Sequence, residues 1–330
     1  MVGKYKKICY NNSMQNYNDN KQKGFIPSLI GEATPAKASG LTFSLATIAA
    51  VAITVLFLLV LTLSGLTAQE GYTESDWYLY CSYLRTPLTF ALVAWWMLRW
   101  TETPVREEFK AQKCAPKYFL IAVLLQIGLL SLSELNALFL DFLALFGYVE
   151  PEIPLPSMDG LGFVGVLFVV AVIPAIFEEV IFRGLLLKGM RSFGSVGAIL
   201  ISGGLFALYH QNPAQTIYQF CCGAAFALVA LKAGSILPTV LSHFINNALI
   251  LTLQKLGISE FSTPVFVTIV IVSVLCLVAS LVWLFLDKKT LKGIENELDA
   301  KVERKLFWQY ASVGIVLCAL SWISGLFSGV

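Results

Sequence analysis

Apolar residues in this chain come in runs long enough to cross a lipid bilayer, and that feature limits the fold more than any other. A helix needs about 20 mostly apolar residues to span the hydrocarbon core. Such runs stand at about 41–66, 79–99, 118–147, 161–182, 195–210, 215–231, 236–254, 264–286 and 307–328. The expected fold is all-α: a polytopic integral membrane helical bundle with eight or nine transmembrane helices. Eight is allowed because the fifth and sixth runs are short and poorly separated. Composition agrees, with 57% of the 330 residues hydrophobic and 13% charged, where soluble domains carry about a quarter charged residues. A cytosolic enzyme and a nucleic-acid-binding protein are excluded on that ground, and the net charge of +2 attracts no acidic partner in bulk. The partner that composition implies is the lipid bilayer, with no nucleic acid.

The seven cysteines, Cys9, Cys81, Cys114, Cys221, Cys222, Cys276 and Cys318, form no CxxC pair. A disulfide framework or cysteine zinc site is not expected, and most read as small buried hydrophobes. No cleavable leader is expected, because the first apolar run begins near Leu41 behind forty mostly polar residues. Val2 stands where myristoylation requires glycine.

Lys and Arg accumulate on the cytoplasmic side of membrane proteins, and here the turns alternate. The N-terminal segment carries Lys4, Lys6, Lys7, Lys21, Lys23 and Lys37; the next turn holds Glu70, Glu74 and Asp76. Arg99, Arg106, Lys110, Lys113 and Lys117 follow, then Glu150, Glu152 and Asp159. Arg183, Lys188 and Arg191, then Lys232, then Lys288, Lys289, Lys292, Lys301, Arg304 and Lys305 continue the basic series. Arg85 and Lys255 are isolated exceptions. The pattern predicts a multi-pass protein of the cell membrane with its N-terminus cytoplasmic. Four regions follow: a flexible basic tail at 1–40, N-terminal transmembrane helices at 41–160, a core at 161–254, and C-terminal transmembrane helices at 255–330. Within the last, 287–306 reads as a charged cytoplasmic surface helix or solvated linker.

Ionisable groups inside apolar spans are costly and mark function by default. Three places carry them: PAIFEEVIFRG with Glu178, Glu179 and Arg183; FALYH ending in His210; and LSHFINN with His243, Asn246 and Asn247. Both histidines of the chain lie there. Glu179 and Arg183 are four apart and share a helix face, so Glu179 anchors Arg183. Glu178 is rotated by about 100° and is left for chemistry. His243 and Asn247 share the same spacing, as do Phe206 and His210, and Pro174, Pro213 and Pro238 flank the three motifs. Bland readings stand beside these: a structural ion pair for Glu179 and Arg183, interhelical hydrogen bonds for His243 and Asn247, an interfacial histidine for His210. The dyad Glu107 and Glu108 reads as solvated, and Glu134, Asn136 and Asp141 as a span boundary.

A carboxylate, two imidazoles and an amide suffice to hydrolyse an amide with water. Glu178 would serve as general base, one histidine would orient the water, and the other with Asn247 would donate to the oxyanion. Alternatively, Glu178, His210 and His243 would ligate a catalytic zinc, since two His and one Glu form a known set. HExxH is absent, and the inventory does not choose between no cofactor and zinc.

EEVIFR (Glu178 to Arg183), FALYH (Phe206 to His210) and HFINN (His243 to Asn247) resemble the EExxxR, FxxxH and HxxxN motifs of the CPBP family. That family holds the CAAX prenyl proteases of the Rce type and the bacteriocin-processing or self-immunity membrane proteins of the Abi type. The resemblance covers about 161–254, in the family's order and spacing. It implies an intramembrane endopeptidase acting on a membrane-associated, prenylated or lipidated peptide. Glu178 and His210 would position the water, His243 and Asn247 would form the oxyanion site, and Glu179 and Arg183 would support the cavity. Metal-dependent and metal-free water activation both fit the resemblance, the metal-free form being preferred. Two other classes compete: a non-proteolytic scaffold or immunity protein using the same polar core, and a proton-relay transporter, against which stands the absence of an internal repeat.

The run boundaries create a problem of depth. Glu178 falls near the inner end of its run and His243 in the inner third of its own, whereas His210 ends a full fifth span. One common site therefore requires the fifth run to be short, steeply tilted or re-entrant.

Overall fold

A computed structural model describes residues 33–101, 111–288 and 297–327. Among them there is no strand. The helices are α1 (Pro35–Leu63), α2 (Asp76–Thr101), α3 (Lys117–Ala144), α4 (residues 162–193), α5 (Gly194–Tyr209), α6 (Thr216–Ala233), α7 (Leu237–Lys255), α8 (Thr263–Leu286) and α9 (Glu297–Gly325). Each apolar run becomes a helix, as an all-α membrane bundle requires. Six stretches are long and apolar enough to cross a membrane: α1, α3, α4 with α5, α6, α8 and α9. The eight or nine spans expected from the sequence are not reached on length and composition. Two reasons combine: α4 and α5 count as one continuous stretch although the chain turns between them, and polar side chains lower the hydropathy of α7, with Ser242, His243, Asn246 and Asn247, and of α2, with Asp76, Arg85 and Arg99.

The bundle buries small polar side chains among its apolar core and exposes large apolar ones. Thr42, Ser44, Thr47, Ser202, Thr239 and Ser242 are buried, whereas Leu63 and Phe285 are each 79% exposed. That suits a lipid solvent, in which close backbone approach and interhelical hydrogen bonds hold helices together. α1 packs along α9, where Ser44 Oγ donates to the Tyr310 carbonyl (2.6 Å) and accepts from Gly314 N (3.0 Å). α5 packs on α6 where a Cβ on Gly203 would lie 2.8 Å from the Phe220 carbonyl oxygen, and one on Gly223 would lie 2.9 Å from Gly203 Cα.

The turns sort into two ends. At one end Lys117 Nζ meets Asp287 Oδ2 at 2.7 Å, Lys232 Nζ donates to the Asp287 carbonyl at 2.6 Å, and Arg304 Nη1 donates to the Ser192 carbonyl at 3.0 Å. At the other, Ser157 N donates to Asp76 Oδ1 at 2.6 Å and Lys255 Nζ pairs with Asp159 Oδ1 at 3.3 Å. The first end gathers the basic turns and the second the acidic ones. Arg183 is a correction to that series: it is fully buried and marks no loop.

Two boundaries also move. α1 starts at Pro35 rather than near Leu41, and residues 297–306 continue into the last helix instead of forming a separate surface element. Most of the basic tail, Glu107 with Glu108, and residues 289–296 lie outside the described residues. Of the cysteines, Cys222 and Cys318 are buried, Cys81 is exposed, and Cys9 lies outside the described residues.

Candidate active site in the membrane core

The depth problem is resolved by the length of α4. Its helical winding does not stop near residue 182 but runs on to Phe193. Gly194 then turns the chain with φ 69°, a left-handed value that suits glycine, and α5 returns alongside. Phe182 on α4 meets Phe206 on α5 with ring centroids 5.0 Å apart. Glu178 lies sixteen residues before the turn and His210 sixteen after it, so the two reach similar depth without any re-entrant segment.

Local sequence shapes α4 around the carboxylates. Pro174 has no amide hydrogen and cannot bond the carbonyl of Val170 one turn back. That carbonyl instead accepts Asn247 Nδ2 at 3.3 Å, tying α7 to α4. Wide π-helical turns at Leu167–Val172 and Val180–Leu186 flank the α-helical Ile173–Glu179. Such turns occur often at functional sites.

Glu179 and Arg183 pair at 2.7 Å with no exposed side-chain surface. Glu179 Oε1 also accepts His243 Nδ1 at 3.1 Å, a link across helices that spacing within one motif does not reveal. Arg183 Nη2 donates to the Gly223 carbonyl at 3.2 Å. Its guanidinium carbon stands 4.3 Å from the Phe206 ring centroid and 5.3 Å from that of Phe226, so an aromatic cage completes its surroundings.

Glu178 points elsewhere. Its Oε2 lies 3.8 Å from His243 Nε2, beyond hydrogen-bond length, and this buried oxygen has no hydrogen-bond partner in the protein. A cavity of about 310 Å³ is lined by Glu178, His210 and Asn247 with Tyr83 and Tyr209. A neighbouring one of about 430 Å³ is lined by the same three catalytic candidates together with His243. All four groups thus line the larger cavity.

Both histidines have a defined tautomer. His210 Nδ1 lies 2.8 Å from the Phe206 carbonyl, which accepts only, so Nδ1 carries the hydrogen and Nε2 keeps its lone pair. His243 Nδ1 is held likewise by the Glu179 carboxylate, so its Nε2 is the nitrogen nearest Glu178. Among the described residues no three His, Cys, Asp or Glu side chains are gathered as a metal-holding group.

Behind these groups Asn246 joins a set of hydrogen bonds between helices that spacing within one motif does not reveal. Asn246 Nδ2 donates to Asn247 Oδ1 at 3.1 Å, and Asn246 Oδ1 accepts from Gln126 Nε2 and Tyr218 OH, each at 2.8 Å. Ser242 Oγ donates to Gln126 Oε1 at 3.1 Å. Gln126 is a lone amide in the run IAVLLQIGLL, the kind of signal that singled out the other sites. Asn136, read as a span boundary, donates to the Ala214 carbonyl at 2.8 Å and accepts from Tyr218 N at 3.1 Å. It thereby pins the turn that follows His210.

No curated protein and no solved structure matches the chain. A family model does, and the activity that this match supports is intramembrane proteolysis in general. Residues 160–249, the stretch holding Glu178, Glu179, Arg183, His210, His243 and Asn247, match the type II CAAX prenyl endopeptidase Rce1-like family, consistent with a CPBP family intramembrane protease.

Proposed function

We propose that this protein is an intramembrane endopeptidase that hydrolyses a peptide bond of a membrane-associated, prenylated or lipidated substrate with water activated by Glu178. One observation carries the reading: a buried carboxylate oxygen without a protein partner borders the same cavity as two imidazoles and an amide. An unpaired carboxylate in such surroundings is expensive and is the acceptor that a hydrolytic water needs. The catalytic unit is 161–254, with the helices of 41–160 and 255–330 around it. The molecule sits in the cell membrane with its N-terminus cytoplasmic, the basic end facing inward.

Each group then has a task. Glu178 accepts a proton from water as the oxygen attacks the peptide carbonyl carbon, a role that contributes a hundred- to ten-thousand-fold. His210 Nε2, its tautomer fixed by the Phe206 carbonyl, accepts the second water hydrogen and aims the oxygen. The developing oxyanion takes hydrogen bonds from Asn247 Nδ2 and, when the imidazole is protonated, from His243 Nε2; one such donor contributes about 3–4 kcal/mol. Glu179 holds His243 in position, while Arg183 offsets the buried charge. The tetrahedral intermediate collapses as Glu178 returns its proton to the leaving nitrogen, giving a carboxylic acid and an amine.

The test compares new peptide ends in the membrane proteomes of cells making wild type or Glu178→Ala at equal, folded levels. Ends present only with wild type support proteolysis and identify the substrates. If no ends differ and Glu178→Ala confers the wild-type phenotype, the polar core is a scaffold and the protease reading falls.

A further inference from the structure

We infer that the cavity is entered from the non-cytoplasmic face, so that the substrate is an extended segment of a polypeptide displayed on that side. This inference rests on the proteolytic reading above.

The route can be followed along one helix. His243, Asn247, Ile250 and Gln254 line the larger cavity and recur every three or four residues, the stripe that one face of α7 presents. From His243 to Gln254 the helix rises about 16 Å, and Gln254 is exposed. Around that upper part stand Gln215 and Gln219 of α6 and Glu150 of the segment before α4. Glu150 is exposed too, and the neighbouring Asp159–Lys255 pair identifies this as the acidic end of the bundle.

In the opposite direction the space closes. Glu179 and Arg183 have no exposed surface, and Phe182, Phe206 and Phe226, also fully or nearly fully buried, surround the guanidinium. Neither cavity reaches Lys188, Arg191 or Lys232. Because basic turns face the cytoplasm, the closed end is cytoplasmic and the mouth opens on the other face.

The lining also selects a substrate. Gln215, Gln219 and Gln254 offer amides, which both donate and accept and so match the exposed backbone of an extended chain. Glu150 and Glu178 bring negative charge, and no Lys or Arg lines either cavity among the described residues. A free C-terminal carboxylate close to the scissile bond meets repulsion there. An internal segment, or one bearing basic side chains, does not.

Sidedness is measured with a membrane-impermeant maleimide on intact and permeabilised cells, reading peptides that carry Gln254→Cys, Ile250→Cys or Lys113→Cys in the otherwise native chain. Mass spectrometry of each peptide separates the new thiol from the native ones. Intact cells are expected to label Gln254→Cys and Ile250→Cys at least ten-fold above Lys113→Cys, which reacts only after permeabilisation. Labelling at Lys113→Cys alone in intact cells, or silence at Ile250→Cys while Gln254→Cys reacts, overturns the proposal. The first result reverses the orientation, and the second removes the wet route. Labelling needs no catalysis, so a protein labelled as expected but producing no new peptide ends loses its proteolytic reading and keeps its orientation. New ends confined to cytoplasmic segments overturn the substrate assignment while leaving proteolysis intact.

Discussion

Glu178 and Glu179 are adjacent on one helix, yet they lie in opposite surroundings. Glu179 is wholly buried, and its Oε1 receives Arg183 and His243 at 2.7 and 3.1 Å. Glu178 keeps 15% of its side chain accessible, borders both polar cavities, and has an oxygen that nothing in the protein satisfies. The rotation of about 100° between successive residues is enough to place one carboxylate in an ion-paired core and the next in open space. Each carboxylate keeps one buried oxygen without a partner, but Glu179 is tied through its other oxygen to Arg183 and His243 and holds structure, whereas Glu178 borders a cavity and has capacity for a reacting molecule. His243 joins the two regions, with Nδ1 on the structural carboxylate and Nε2 towards the chemical one.

The sharpest way to break this contrast is to neutralise each carboxylate in turn. Glu178→Gln is expected to reduce substrate cleavage by about a hundred- to ten-thousand-fold, the span for losing a general base. The same protein should unfold at the wild-type temperature in detergent. A parallel fall in stability would place Glu178 in the structural region and dissolve the distinction.

Glu179→Ala should do the reverse. It leaves Arg183 buried without its carboxylate, a change that costs about 3–5 kcal/mol, and folded yield should collapse. Combining Glu179→Leu with Arg183→Met removes both charges, and buried pairs are often replaced by apolar side chains at little cost. The double variant is expected to recover folded yield but not cleavage, because His243 has lost the acceptor that fixes its tautomer. Recovery of cleavage would show that Glu179 serves only its arginine.

Gly223 tests the packing beneath both regions. A Cβ there would meet Gly203 Cα and Phe206 Cβ, each at 2.9 Å, and its carbonyl receives Arg183. Gly223→Ala should destabilise by about 1–3 kcal/mol, as overpacking does, seen as a lowered unfolding temperature. Activity per folded molecule should fall as well, since Phe206 supplies the carbonyl that orients His210.

How much of this was legible before folding differs between the two regions. Glu179 with Arg183 follows from spacing within one helix, and so do the apolar runs, because both obey a local period. The bond from Glu179 to His243 bridges 64 residues and has no local trace. Depth misled for a related reason: hydropathy ended the fourth run at residue 182, where Arg183 interrupts it, but that arginine is neutralised in the core and the helix continues to Phe193. Gln126 has no motif around it, and its partners Asn246 and Ser242 reach it only through the packing of α3 on α7, across 120 and 116 residues of sequence.

That network yields the smallest effect and asks whether the boundary between the regions lies at Asn247 or beyond it. Gln126 and Tyr218 both donate to Asn246 Oδ1, which commits the Asn246 amide nitrogen to Asn247 Oδ1. The Asn247 amide is thereby oriented with its nitrogen towards the Val170 carbonyl and the cavity. Interhelical hydrogen bonds in membranes contribute about 0.6 kcal/mol on average and up to about 1.7, so Gln126→Leu should change unfolding only within that range. If Gln126 positions the oxyanion donor, kcat falls while KM is unchanged, and the loss disappears in an Asn247→Ala background. If it only joins helices, stability moves alone and the two substitutions combine independently.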